Sequence, residues 1–389
     1  MRNIIGQPVS GDDFWKRPEV TDQIVEHLAA GTANIKMFGL RRIGKSSVLR
    51  DLVTTLRARG LTVIHVDTQK HTQFRPLMAD IVEALPTGGK ATEIRKGLSN
   101  NKLVSWLIDR SAEAFGATTK TEGFVNEFNH HAAWSGEIEA LLKASGPVVL
   151  ILDELPIMAR NMLRSGYRAI DIEQFLATLR SWRFECNVRM LFAGSLGFGA
   201  LERDHEVNIR DNISDLAVVP IPPLDRETAI EFVAKLAESS GFGDWNRKLS
   251  EAIVDESAEL WPIFLQFGFD AAKRSGTRQP EAIASIMGTG VREQLDENFY
   301  SQFRTRLARY GDQEPAARMI LKMVSTEGGS TSFAAIDEAL EAKGWLDLRD
   351  DLLEYLKDDD FIEVNTRDAV VNVASKLVPV WVRARAWGR

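Results

Sequence analysis

The amino-acid sequence predicts an α/β protein, a doubly wound parallel sheet followed by a helical segment and then a small module of three helices and a hairpin. Three observations lead there. From about residue 10 to 222, five short β-branched or apolar runs alternate with helical patterns. Several of these runs read as continuous apolar strands rather than alternating ones, the mark of strands buried on both faces. After Pro220-Ile221-Pro222-Pro223 the period turns helical, because prolines cannot continue a central strand.

The five runs are Asn34 to Phe38, Leu61 to Val66, Val148 to Leu152, Val188 to Ala193 and Leu216 to Val219. Strands that alternate with helices build parallel sheets covered on both sides. The stretch from Lys45 to Asp153 is long for such a core, so residues 71–146 are expected to hold an insertion of extra helices. Residues 223–311 form the helical segment, a lid. There Asp225 is a candidate N-cap, with Ile230, Val233 and Leu236 following at helical spacing. Residues 312–389 show helical patterns at 316–324, 333–342 and 348–356, then strand-like runs at 361–364 and 369–373. That order predicts a winged helix-turn-helix domain.

At 389 residues the chain has room for two or three domains at about 150 residues each. Its 44% hydrophobic and 26% charged content are those of an ordinary globular protein. A formal net charge of −7 gives no general attraction to a phosphate backbone, which disfavours nucleic acid as a partner without excluding it. Cys186 stands alone and before an apolar run, which reads as a buried structural thiol. The first residues lack a signal-peptide run, and no apolar stretch approaches the roughly 20 residues that span a bilayer. The expectation is a cytoplasmic protein with no membrane partner.

The most specific signal is Gly39-Leu40-Arg41-Arg42-Ile43-Gly44-Lys45-Ser46, which meets the phosphate-loop pattern G-x-x-x-x-G-K-[ST] between a strand and a helix. Glycines let the backbone curl so that its N–H groups face phosphate oxygens, and the helix N-terminus adds partial positive charge. Lys45 is placed to reach the terminal phosphates, and the Ser46 hydroxyl to ligate Mg²⁺. Ser47 follows in the same helix start and is counted with the loop. Arg41 and Arg42 are extra cations, for phosphate or for neighbouring carboxylates. The ligand expected is ATP with Mg²⁺.

A second acidic element, Asp153-Glu154, ends the strand Val148 to Leu152. At the carboxyl end of a buried strand, Asp153 can hold hydrated Mg²⁺, and Glu154 can take a proton from an attacking water or orient it. Ser195 ends the next apolar run, where it could touch the γ-phosphate or that water. Arg203 and Arg210 lie beyond it, and either could act as an arginine finger in a neighbouring subunit's site; Arg210 is the first candidate. His130-His131 lacks metal-ligand spacing and reads as surface helix.

With these residues assembled, the chain resembles the archaeal-type ATPases of the AAA+/STAND P-loop superfamily, relatives of the Orc1/Cdc6 initiators. The resemblance runs from about residue 8 to 275. It begins at Gly11 to Arg17, similar to a lead-in segment passing near the adenine, which brings Arg17 into the site. It continues through the arginine-bearing phosphate loop and the Leu152-Asp153-Glu154 strand end. Gly194-Ser195 matches the polar sensor position. Leu260 to Gln266 is similar to a lid segment whose proline, here Pro262, sits near nucleotide; Trp261 departs from the usual glycine there. The resemblance implies a slow ATPase acting as a conformational switch, with nucleotide-dependent homo-oligomers and a protein partner met through the insertion or the winged helix. Such families serve regulation, mobile elements and antiviral defence. The other reading is a DNA-associated AAA+ ATPase, a loader or a transposition or defence regulator.

The C-terminal helix at 348–357 carries carboxylates on its polar face and runs into Asp358-Asp359-Asp360. Leu348, Leu352, Leu353 and Leu356 are expected in the core, leaving the acids outward and unsuited to DNA. Arg383, Arg385 and Arg389, near Trp381 and Trp387, form a basic end that could pair with those acids or touch phosphate.

Overall fold

The structure is a computed structural model and describes residues 1–85, 131–195, 197–205, 207–291, 299–326 and 328–384. It separates into two compact units. One comprises Arg17–Phe38 and Val48–Pro220; the other comprises Met1–Lys16, Gly39–Ser47 and Ile221–Arg389.

The first unit is built on five strands: β1 (Asn34–Phe38), β2 (Thr62–Asp67), β3 (Val148–Asp153), β4 (Val188–Gly194) and β5 (Leu216–Val218). Their order is β2-β3-β4-β1-β5 and every neighbouring pair is parallel. The five expected runs are thus the five strands, with ends moved by no more than one residue. Parallel strands need crossovers, and helices supply them. Helix α1 (Pro18–Ala30) leads into β1, and α2 (Lys45–Ala58) links β1 to β2. Between β2 and β3 lie α3 (Phe74–Ala84) and α4 (His131–Ala144). Between β3 and β4 lie α5 (Leu155–Arg164) and α6 (Ala169–Glu185), and α7 (Gly199–His205) and α8 (Arg210–Ile213) precede β5. Of the expected insertion, α3 and α4 mark the two ends; residues 86–130, His130 among them, lie outside the described residues.

All six residues of β3 are buried, as a strand covered on both faces must be. Leu150, Leu152, Met190 and Phe192 form the sheet's contribution to a core that α6 fills with Leu179 and Trp182. Each such side chain withdrawn from water contributes about 1.5–3 kcal/mol. Cys186, just past α6, is buried among them, and burial pushes its thiol pKa up, as suits an inert structural cysteine. Edge strand β5 is less enclosed, with Val218 exposed.

The second unit contains α9 (Arg226–Ser239), α10 (Arg247–Glu256), α11 (Pro262–Ser275), α12 (Pro280–Gly290) and α13 (Ser301–Leu307). Asp225 caps α9 by accepting from the Thr228 N–H at 3.0 Å, and Ile230, Val233 and Leu236 are buried. Beyond them come α14 (Glu314–Thr326), β6 (Ser330–Ser332), α15 (Phe333–Glu341), α16 (Arg349–Asp358), β7 (Ile362–Asn365), β8 (Val370–Val373) and α17 (Leu377–Ala384). The three strands pair antiparallel in the order β6-β8-β7.

The structure departs from the sequence reading here in three ways. Strand β6 was not expected, because Ser330-Thr331-Ser332 has no apolar pattern; it forms by pairing with β8. Leu348 is only half-buried, since α16 starts after it, whereas Leu352, Leu353 and Leu356 are in the core. The acids do not all face outward. Asp359 is 3% exposed, accepting from Tyr310 Oη at 3.1 Å, and Arg306 donates to the Asp359 carbonyl and to Asp360 Oδ2. Trp381 is buried and Arg383 exposed; Arg385, Trp387 and Arg389 lie outside the described residues. Among the described residues no helix is long and apolar enough to cross a membrane.

Candidate nucleotide site

The phosphate loop leaves the carboxyl end of β1, a strand flanked by β4 and β5, and runs directly into α2. Its two glycines are required by shape. Gly39 has φ 158°, and a Cβ there would stand 2.9 Å from Ile43 Cδ1; Gly44 has φ 108°, a conformation closed to other residues. Arg42 adopts a left-handed φ of 74°, an uncommon state for a residue with a Cβ that tightens the curl. Arg41 and Arg42 are exposed, as loop cations facing a polyanion should be.

Lys45 opens α2 with its side chain turned back over the loop. Its Nζ donates to the carbonyls of Gly39 at 2.8 Å and Leu40 at 2.7 Å, and the residue is 6% exposed. An ammonium held in this way lies over the loop it would serve. Ser46 is half-buried. Ser47 is buried, and its Oγ accepts from the Val9 N–H at 3.1 Å, so its hydroxyl ties the N-terminal segment to the helix start.

The acidic element belongs to the sheet unit. Register places Asp153 opposite Asp67 on β2 and Ala193 on β4. Asp153 is 7% exposed, and its carbonyl accepts from Thr68 Oγ1 at 2.8 Å. The chain then turns sharply, with Glu154 in the left-handed region at φ 59° and Pro156 in the first turn of α5. Such a backbone state costs of order 1–3 kcal/mol and persists only where neighbours hold it. Here the Glu154 N–H donates to the Ala193 carbonyl at 2.8 Å. Glu154 Oε2 accepts from the Ser195 N–H at 2.9 Å and from Ser195 Oγ at 3.0 Å. Ser195 is 1% exposed. The structure therefore brings Glu154 and Ser195 into one hydrogen-bonded pair at the carboxyl ends of two adjacent strands. Sequence reading placed both residues at strand ends but had no signal for their mutual contact.

The remaining candidates have contacts of their own. Arg17 caps α1, is 3% exposed, and pairs with Glu19. Arg210 begins α8; its backbone N–H and Nε bond Glu202 at 3.0 Å each, and its side chain is 57% exposed. Pro262 occupies the first turn of α11, and Trp261 before it donates from Nε1 to the Ile221 carbonyl at 3.2 Å. Trp261 is thus a buried structural anchor at the start of α11.

Residues 30–200 match a family model described as AAA domain. Among solved structures, the chain is similar to a Walker-type ATPase of Pyrococcus abyssi at 17% identity and a TM-score of 0.60, covering 98% of this chain and 100% of that one. That likeness shows a shared fold. The ORC2 protein of Aeropyrum pernix aligns at 12% identity and TM-score 0.47, over 98% and 97% of the two chains. AMPPCP-bound DnaA from Aquifex aeolicus aligns at 14% identity and TM-score 0.37, over 88% and 90%. No curated protein matches the chain. The phosphate loop and the acidic end of β3 both fall within residues 30–200, the part of the chain that matches the AAA domain.

Proposed function

We propose that this protein is an ATP-binding and ATP-hydrolysing regulatory switch of the archaeal AAA+/STAND type, in which nucleotide state controls self-association and partner binding. The observation that carries the reading is the strand–loop–helix unit at 34–58, with Lys45 folded over a loop whose two glycines hold conformations that a side chain would forbid. In this reading Lys45, Arg41, Arg42 and the loop amides take the phosphates, and Arg17 and Pro262 flank the nucleoside. Ser46 and Asp153 hold Mg²⁺. One hydroxyl and one carboxylate suit that ion, which keeps waters and phosphate oxygens rather than an all-protein cage. When bound, Mg²⁺ neutralises charge on the β- and γ-phosphate oxygens.

Glu154 is the residue that accepts the proton of the attacking water or directs its approach. Ser195 serves it by fixing one carboxylate oxygen with two donors, so the carboxylate is oriented before substrate arrives. Arg210 is the candidate finger in trans. Its side chain is 57% exposed, so the guanidinium is accessible to a neighbour's phosphate.

The C-terminal order helix–strand–helix–helix–hairpin favours a second reading, a DNA-associated AAA+ ATPase whose module at 312–389 is a winged helix. Against DNA, α16 presents Asp350 and Asp351 to solvent, where phosphate would be repelled. We therefore read the winged helix as a protein-contact module. The test is the solution mass of the full chain with and without Mg²⁺ and a non-hydrolysable ATP analogue, then with duplex DNA at two salt concentrations. Nucleotide should raise the mass and DNA should leave it unchanged. A monomer under all conditions rejects the switch, and tight DNA binding with a steep salt slope puts the second reading first.

A further inference from the structure

The Arg41 N–H, on the outer limb of the phosphate loop, donates to Gln302 Oε1 at 2.9 Å. Gln302 comes from the first turn of α13, some 260 residues along the chain. The next residues on that short helix are fixed to the C-terminal module. Phe303 is fully buried, with its ring centroid 5.4 Å from that of Phe361 and 5.2 Å from that of Trp381. Arg306, 2% exposed, donates to the Asp359 carbonyl and to Asp360 Oδ2. Tyr310 continues the attachment through Asp359. One helix therefore meets the phosphate loop at 302 and the C-terminal module at 303 and 306.

We propose that Gln302 is a positioning residue that ties the phosphate loop to the C-terminal module, so that phosphate binding is felt in that module through α13. The proposal rests on the reading of Gly39–Ser46 as the nucleotide loop. The physical case has two parts. The left-handed turn at Arg42 follows the amide that Gln302 accepts, so Gln302 anchors the limb on which the curl of Ile43 to Ser46 is built. A loop held in its binding shape spends less free energy on ordering when phosphate arrives. Linkage then demands reciprocity: if the α13 contact favours the bound loop, bound nucleotide favours the α13 contact by the same factor. The module cannot ignore that, because Phe303 and Arg306 leave α13 no independent movement.

The experiment is hydrogen exchange on the full chain, without nucleotide and at saturating Mg²⁺–ATP, for wild type, Gln302→Ala and Gln302→Glu, with ATP affinity measured alongside. Wild type should slow its exchange at 301–310 and at 349–384 when ATP binds. Gln302→Ala should keep its thermal midpoint without nucleotide, bind ATP about three- to tenfold more weakly, as one lost hydrogen bond implies, and show no ATP-dependent slowing at 349–384. Gln302→Glu retains an acceptor oxygen and should restore the slowing at saturating ATP. A merely structural glutamine would move the midpoint and leave the ATP-dependent difference intact. The proposal is overturned if Gln302→Ala transmits like wild type, if wild type shows no slowing at 349–384, or if Gln302→Glu is folded and ATP-bound yet silent. Lys45→Ala separates the underlying reading: ATP affinity unchanged in that variant would remove the nucleotide loop itself, whatever Gln302 does.

Discussion

Two acidic segments of this protein close secondary-structure elements, Asp153-Glu154 at the end of β3 and Asp358-Asp359-Asp360 at the end of α16, and they are treated differently. Both contain a residue in the left-handed region, Glu154 at φ 59° and Asp360 at φ 59°. Glu154 is met by a hydroxyl and an amide from Ser195, whereas Asp360 is met by the Arg306 guanidinium and Asp359 by the Tyr310 hydroxyl. Neutral donors orient a carboxylate without neutralising its charge. A buried guanidinium spends the charge on packing. Both are acids of the same backbone shape, so in the proposed reading the neighbours are what separate an acid free to act on water from one that holds the fold.

The largest expected effect comes from removing the base at the first segment. Glu154→Gln should bind ATP with wild-type affinity while turnover falls by about 10²–10⁴, since the amide cannot take a proton. Steady-state hydrolysis at wild-type rate would move Glu154 into the same structural class as Asp360. At the second segment the loss should be in stability rather than in turnover. Arg306→Met removes the guanidinium from the Asp359 carbonyl and the Asp360 carboxylate and should cost about 1–3 kcal/mol, below the value for a fully buried pair because the Asp360 side chain is 37% exposed. Urea unfolding measures this, and the folded variant should hydrolyse ATP normally; a large fall in kcat with unchanged stability would contradict the division of roles.

Ser195→Ala sharpens the comparison further. It removes one of two donors to Glu154 Oε2, so kcat should drop by roughly tenfold, less than for Glu154→Gln, with ATP affinity unchanged. A fall in affinity with kcat intact would point instead to direct phosphate contact by Ser195. The smallest effect is with pH and concerns two histidines of the sheet unit. His65 and His71 both have pKa values lowered from the ordinary 6.5, chiefly by burial, with Asp67 and Asp80 opposing. Each binds a proton less readily folded than unfolded, so the unfolded chain takes up protons first as pH falls. Stability from these two groups is held above about 6.5 and declines below it. His65→Gln should lose less stability than wild type between pH 7.5 and 5.5, and an identical loss would assign the acid sensitivity elsewhere.

Much of this was legible in the sequence. The phosphate loop is a contiguous motif whose physics is local, and the run Val148 to Leu152 declares a buried parallel strand by being apolar throughout, as does β4 but for Arg189. What was not legible depends on distant residues meeting. Glu154 and Ser195 are 41 residues apart and meet only because parallel register puts Asp153 opposite Ala193. Asp359 looked like a solvated acid because its partners, Tyr310 and Arg306, lie about fifty residues earlier. Strand β6 is three hydroxyl-bearing residues that become a strand only against β8. The Arg41–Gln302 contact has no sequence signal at all.

The central claim is that Gly39 to Ser46 holds the phosphates of ATP, and titration calorimetry of wild type and Lys45→Ala with Mg²⁺–ATP tests it most directly. Lys45 lies over the loop on the carbonyls of Gly39 and Leu40, and its charge-assisted contact to phosphate is worth about 1.5–3 kcal/mol. The account predicts saturable Mg²⁺-dependent binding in wild type and an affinity at least about tenfold lower in Lys45→Ala, with both proteins equally folded by circular dichroism. Equal affinity in the two folded proteins, or no binding in wild type, would contradict it.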